Sequence, residues 1–202
     1  MDVRIPPPAL GELGPLARTV ATVIGWATIG DPPGVFTTLG RHRRLFRSWL
    51  PFAGTMLLRA RLPRGDVELV VLRTACNCAA PYEWVQHVPL GHRAGLSAEV
   101  INAIPRWPDH DVFSERQLLL LAAVDELHAR RVLTAVTWAA LTRAFEDIDL
   151  IELCMLVGHY EMLAMTLNSI GVQPEPSAER ALDEAARQTQ KSLVTTLDSR
   201  AG

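Results

Sequence analysis

The sequence predicts an all-α fold, and three observations carry that reading. Apolar residues recur at helical spacing in almost every segment. The turns between segments are short and built on Gly, Pro, Ser, Thr or Asp at positions that start or stop helices. No β-hairpin signal stands between alternating segments, and there is no G-x-G-x-x-G or P-loop motif. The chain has 202 residues, 49% apolar and 21% charged, enough for one domain with a sizeable core. The expected organisation is a single domain. It comprises an N-terminal arm and first helix over 1–34, a helical domain over 35–176, and a C-terminal helix or tail over 177–202.

Taken in order, Ile5-Pro6-Pro7-Pro8 is expected to be extended, because proline fixes φ and restricts its predecessor. Such an arm suits packing on a neighbouring subunit or a simple lead-in. Leu10 to Ile24 reads as a first helix, stopped by Gly30-Asp31-Pro32-Pro33-Gly34. Phe36 to Leu50 reads as a short helix, a break and a second helix, with Pro51 a kink or a restart. Leu62-Pro63-Arg64-Gly65-Asp66 is a turn in which Asp66 is expected to cap the next helix. Val67 to Ala79 also has strand-like composition, but its length and cap favour a buried helix. Pro81 suits the first position of a helix over Tyr82–Arg93, which Gly95 ends in a left-handed cap.

Ser97 caps a short helix stopped by Pro105 and Pro108. Ser114 caps a helix carrying Leu118, Leu121, Val124 and His128 towards Arg130-Arg131. Thr134 opens another through Trp138 and Leu141, and Asp147 to Ile170 is a long apolar helix capped by Gly171. Glu175 to Leu197 reads as a polar helix that extends away from the core or onto a partner.

Several function classes are set aside. Net charge is −2, and Arg41-His42-Arg43-Arg44 precedes the amphipathic Leu45–Leu50, so it reads as a solvated helix face with no nucleic-acid partner. No apolar run is expected to reach the roughly 18–20 residues that span a bilayer. The N-terminus lacks the charged-then-apolar pattern of a signal peptide. Three cysteines, two in Cys76-Asn77-Cys78, make no disulfide framework, and a reducing cytoplasm is the expectation.

Candidate chemistry concentrates between Arg64 and Leu96. Glu83 and His87 are four apart and share one helix face. With Glu68 on the preceding helix they bring two carboxylates and an imidazole together, the material of an acid–base site. The plainer readings stand beside this one. Glu68 also suits a first-turn acid, and Glu83–His87 also suits a surface pair. The three together also suit a divalent cation. Cys76 and Cys78 suit a redox pair less well than small core hydrophobes, because a Cys-x-Cys bridge is strained, and Cys78 alone also suits pocket lining. His159 and Tyr160 serve equally as core residues or pocket lining.

Three runs carry a family resemblance: Glu68-Leu69-Val70-Val71-Leu72-Arg73, Cys78-Ala79-Ala80-Pro81-Tyr82-Glu83-Trp84-Val85-Gln86-His87, and Arg93-Ala94-Gly95-Leu96-Ser97. They resemble the carboxymuconolactone decarboxylase / AhpD-like family. Val157-Gly158-His159-Tyr160 and Leu167 to Val172 resemble its closing helix, so the likeness spans residues 35–176. It implies an AhpD-like helical bundle, assembled as a trimer, dimer or hexamer, with the site between helices near a subunit interface. The peroxidase branch carries Cys-x-x-Cys followed by x-x-x-His. Aligned on His87, those cysteine positions hold Ala80 and Glu83.

The function expected is therefore acid–base chemistry, of decarboxylase, lyase or isomerase type, on a small carboxylated or lactone-like metabolite. Glu68, Glu83 and His87 are the expected catalytic residues, with Glu83 orienting the imidazole and Glu68 facing the pair. Cys78, Tyr82, Trp84, His159 and Tyr160 are the expected substrate contacts. No cofactor and no metal is expected. The alternatives are a hydroperoxide reductase working through Cys78, and a non-catalytic binding or scaffold protein on the same fold.

Overall fold

A computed structural model describes residues 2–28, 30–109, 111–180 and 182. Its centre is the hairpin of α4 (Arg64–Asn77) and α5 (Pro81–Arg93). Val67, Leu69, Val70, Val71 and Leu72 are all buried, and so are Asp66, Glu68 and Thr74, so α4 lies inside the molecule with polar groups that need internal partners. It packs against α5, α7 (Glu115–Arg130) and α9 (Asp147–Ile170). The remaining helices are α1 (Pro15–Thr28), α2 (Gly34–Leu39), α3 (Arg43–Leu58), α6 (Ala98–Ala103) and α8 (Ala135–Leu141). No strand occurs among the described residues, and the all-α fold expected from the sequence is the one observed.

Local chemistry explains most boundaries. Ser114 and Gln117 form a capping box at α7, Thr134 caps α8, and Ser97 caps α6. Gly171 closes α9 at φ +75°, and the Asp2 carbonyl lies so near that a Cβ would collide with it. Several expectations are corrected. Asp66 does not cap α4. The helix starts two residues earlier, after Pro63, and Asp66 instead pairs with Arg116 Nε at 2.6 Å. Leu10–Glu12 is a 3₁₀ turn, and α1 begins only at Pro15, where a missing N–H costs nothing. α3 runs on through Pro51, because the Arg47 carbonyl that loses its partner there lies on an exposed face.

α9 has the length and composition of a bilayer-crossing helix, contrary to the expectation that no such run exists. Half of that window is nevertheless buried inside the fold, through Leu150, Leu153, Leu156, Val157, Leu163 and Leu167. The N-terminal arm, offered as an intersubunit element, hydrogen-bonds within its own chain. The backbone N–H groups of Arg4 and Ile5 donate to the Ile170 carbonyl. Residues 176–180 and 182 are helical while Glu175 is not, and residues 181 and 183–197 of the expected C-terminal helix lie outside the described residues.

A polar network ties α4 to α7. Arg73 donates through Nε and Nη2 to the two oxygens of Asp125, at 2.7 and 2.8 Å. Asn77 Nδ2 and Trp107 Nε1 donate to the same carboxylate. Asp125→Ala would remove the acceptor of four N–H donors, two of them on the largely buried Arg73 guanidinium, which would keep only its Nη1 bond to the Ile104 carbonyl. Denaturant unfolding should show a loss near the lower end of about 3–5 kcal/mol, given that Asp125 is a third exposed. A loss under about 0.5 kcal/mol, the range of an ordinary surface change, would refute a structural role.

Candidate active site

α4 and α5 cross so that their polar residues meet in an otherwise apolar interior. Glu68 is 0% exposed, Glu83 4% and His87 5%. Arg64 Nη2, one turn before Glu68, donates to its Oε1 at 2.7 Å. The other oxygen, Oε2, lies 2.7 Å from His87 Nδ1. His87 Nε2 faces Glu83 Oε2 at 3.5 Å. The imidazole therefore spans two carboxylates through opposite ring nitrogens. This corrects the expected division of labour: Glu68, not Glu83, is the nearer partner that fixes the ring.

Burial by itself would push the His87 proton off. The negative charges and hydrogen bonds of Glu68 and Glu83 together outweigh it and raise the pKa to about 9. His87 is thus an imidazolium at neutral pH. The Tyr160 ring meets it edge-on, with centroids 5.1 Å apart. Burial, aided by Glu83 and Glu68, holds the Tyr160 phenol far above its ordinary value, so it stays neutral.

His159 behaves in the opposite way. Its Nε2 accepts from the Trp49 indole N–H at 2.9 Å, which places the proton of the neutral ring on Nδ1. Burial, then the nearby His87 charge, push its pKa down to about 4. Its Nδ1 is buried without a hydrogen-bond partner among the described residues.

These groups form one end of a cavity of about 320 Å³. Arg64, Tyr82, Glu83, Gln86, His87, Arg93, His159 and Tyr160 supply its polar wall; Val35, Phe36, Trp49, Leu50, Leu57 and Leu163 supply much of the apolar remainder. A third carboxylate holds two of these wall residues, Tyr82 and Gln86. Glu175 accepts from the Gly34 N–H, the Tyr82 hydroxyl and Gln86 Nε2, and burial raises its pKa. Tyr82 in turn accepts from the Val35 N–H at 3.0 Å.

Of the residues expected at the site, Glu68, Glu83, His87, Tyr82, His159 and Tyr160 come together, and Cys78 and Trp84 do not. Trp84 follows Glu83 by one residue, about 100° around the helix. It packs towards Ala75, Ala80 and Ala164 instead. Cys78 stands ten residues beyond Glu68, about 15 Å along α4 at 1.5 Å per residue. Its Sγ lies 3.9 Å from His128 Nδ1, and burial followed by the Glu161 charge pushes the thiol up to about 11. Cys76 is likewise raised to about 11, chiefly by burial, and all three cysteines are free. Arg64, Trp49 and Glu175 join the site without being expected there from the sequence. The i,i+4 spacing of Arg64 and Glu68 is a usable signal, as is the rigid setting of Glu175 between Pro174 and Pro176.

Residues 43–126 match the carboxymuconolactone decarboxylase family. Over that span, less than half of the chain, the sequence is similar to this family. The matched segment holds Glu68, Glu83 and His87, while His159, Tyr160 and Glu175 lie beyond it. Solved structures share the fold along most of the chain. An AhpD-core, peroxidase-related protein from Ralstonia eutropha is 20% identical, with a TM-score of 0.79 over 88% of this chain and 95% of that one. A peroxidase-related protein from Silicibacter is 12% identical, with a TM-score of 0.77 over 87% and 93%. The debrominase Bmp8 in complex with 2,3,4-tribromopyrrole is 15% identical, with a TM-score of 0.74 over 92% and 98%. At these identities the likeness is one of fold. No curated protein matches the sequence significantly.

The two histidines of this site set opposite pH limits on stability. The pKa of His87 is raised, so its contribution is complete below about 6.5 and is lost as pH rises through about 9. The pKa of His159 is lowered, so the unfolded chain gains the proton first, and stability falls as pH drops from about 6.5 towards 4. Unfolding free energy measured across pH should therefore peak near 6.5, with the alkaline limb flattened in His87→Gln. An alkaline limb that is flat in the unsubstituted protein would contradict the assigned charge on His87.

Proposed function

We propose that this protein is an acid–base enzyme, of decarboxylase, lyase or isomerase type, acting on a small carbonyl- or lactone-bearing metabolite. The observation that carries the reading is an imidazole held between two buried carboxylates in the wall of an apolar cavity. In such a reaction, bond breaking at carbon leaves an electron pair that delocalises onto a carbonyl oxygen as an enolate. His87 then delivers its proton to the carbon, and Glu68 behind it stabilises the ring's orientation. Glu83, on the other ring nitrogen, is the base that takes a proton when the reaction begins by abstraction. The Nδ1–H of His159 and the phenol of Tyr160 are neutral donors suited to the developing oxyanion. Arg93 in the same wall favours a substrate bearing a carboxylate. The low local dielectric strengthens each of these interactions.

The thiol route is less well supported. The positions that a dithiol would occupy hold Ala80 and Glu83, and Cys78 lies outside the cavity as a protonated thiol. The reading also includes self-association. Ile148, Ile151, Met155, Met162 and Met165 form an exposed apolar stripe along α9, which supports a homo-oligomer. The free cysteines fit a reducing compartment, and we place the protein in the cytoplasm.

Proton exchange at carbon in D₂O, followed by NMR over a panel of small lactones and keto acids, tests the chemistry directly, because the incorporated deuterium marks the proton-transfer step itself. His87→Ala and Glu83→Gln should each slow exchange by about 10² or more, with the helical circular dichroism unchanged. Cys78→Ala should leave it unaltered. The rate of the unsubstituted enzyme should fall as pH rises through about 9, where His87 loses its proton. Normal turnover by His87→Ala would overturn the assignment.

A further inference from the structure

A second group of side chains lies on the opposite side of α9 from the cavity and takes no part in the chemistry above. It joins Cys78 at the end of α4, His128 in the last turn of α7, and Glu161 in the middle of α9. Glu161 Oε1 lies 2.8 Å from His128 Nδ1, and Cys78 Sγ lies 3.9 Å from that same nitrogen. One donor atom from each residue falls within 4.8 Å of the other two. The residues are part-buried, so they are shielded yet reachable.

The geometry separates two chemistries. A nucleophilic relay needs the thiol on one ring nitrogen of histidine and the carboxylate on the other. Here both address Nδ1, so no relay runs through the ring. Sulfur, nitrogen and oxygen instead converge on one point. The Glu68–His87–Glu83 chain has the opposite layout, with its carboxylates on opposite nitrogens, and is a relay and not a chelate.

We propose that Cys78, His128 and Glu161 bind one borderline-soft divalent cation, Zn²⁺ by donor set, with a fourth position left to solvent. One thiolate, one imidazole and one carboxylate is a ligand set that zinc accepts. Zinc bond lengths of about 2.0–2.3 Å imply tetrahedral donor separations of roughly 3.4–3.6 Å. The observed 2.8 Å contact must open slightly and the 3.9 Å contact must close slightly, movements within the reach of side-chain rotation. The site is also preorganised. Asn168, two turns along α9 from Glu161, donates to the carbonyls of Cys78 and Ala79 and holds the turn that presents the thiol. A cavity of about 460 Å³ opens beside it, with Glu161, Arg131, Cys154 and Trp138 in its wall, which gives the fourth position access to water. Binding exchanges the Cys78 S–H bond for a metal–sulfur bond and releases that proton, while the Nδ1 proton that neutral His128 shares with Glu161 moves to Nε2 and frees Nδ1 for the metal, so one proton is released in all. Arg131 pairs with the second oxygen of Glu161 and is the competing cation.

The test titrates the full-length chain with Co²⁺ as a spectroscopic probe, then displaces it with Zn²⁺. Expected is one ion per chain, a sulfur-to-cobalt charge-transfer band in the near ultraviolet, and one proton released. Cys78→Ser and His128→Asn should each abolish the band and weaken Zn²⁺ binding by more than about 100-fold, beyond the effect of an outer-shell change. Cys154→Ser, in the wall of the same cavity, should keep both. Arg131→Gln should tighten binding, an outcome that a merely structural role for the cluster would not produce. If Cys78→Ser fails to fold by circular dichroism, Glu161→Gln provides the same readout. Absence of the band in the unsubstituted protein, or its survival in Cys78→Ser, would overturn the site.

Discussion

A carboxylate with no exposed surface is the constraint on which the rest of this molecule depends. Glu68 lies inside a helix whose neighbouring residues are Val67, Leu69, Val70 and Leu72, and leaving it unpaired there would cost several kcal/mol. Compensation comes from Arg64, one turn earlier on α4, and from His87 on α5, at 2.7 Å each. The second contact fixes how α5 must lie against α4, and hence the tight turn between them. Ala79 takes a positive φ of 47° in that turn, stabilised by the Asn168 amide on the carbonyls beside it. One buried charge therefore sets the hairpin geometry, the orientation of the imidazole and its protonation.

α9 carries this constraint outward. His159, Tyr160 and Glu161 are successive residues about 100° apart around the helix, and they serve two regions. His159 and Tyr160 face the cavity, where each stays neutral beside the charged His87. Glu161 points to His128 and Arg131. A helix with a single polar face would serve only one of these regions. The cost is a long apolar element whose outer side, from Ile148 to Met165, remains uncovered in the single chain.

Helix content and the central hairpin are legible in the sequence because they rest on local signals: periodicity, Pro81 at a helix start, and glycine at Gly95 and Gly171. The convergence of Glu68, Glu83 and His87 is legible because a short turn between two helices leaves little freedom in how they meet. What stays hidden depends on distance along the chain. Trp49 reaches His159 across 110 positions, and Gln86 reaches Glu175 across 89, and nothing local in either pair announces the contact. Trp84 and Cys78 lie away from the site for a different reason. Nearness in sequence to Glu83 is not nearness in space: one step around α5 turns Trp84 away, and Cys78 stands at the far end of α4, ten residues beyond Glu68. Asp66 is ambiguous because an acid near a helix start serves equally as a cap or as a first-turn partner, and only the position of Arg116 on α7 decides between them.

The central claim is that His87 is held as an imidazolium by two buried carboxylates, and the most direct measurement is an NMR titration of its ring nitrogens in ¹⁵N-histidine-labelled protein. Both nitrogens should carry protons at neutral pH, and the ring should titrate near 9, with the titration moving to lower pH in Glu68→Gln. A ring that is neutral at pH 7, or that titrates near 6.5 regardless of Glu68, would contradict it.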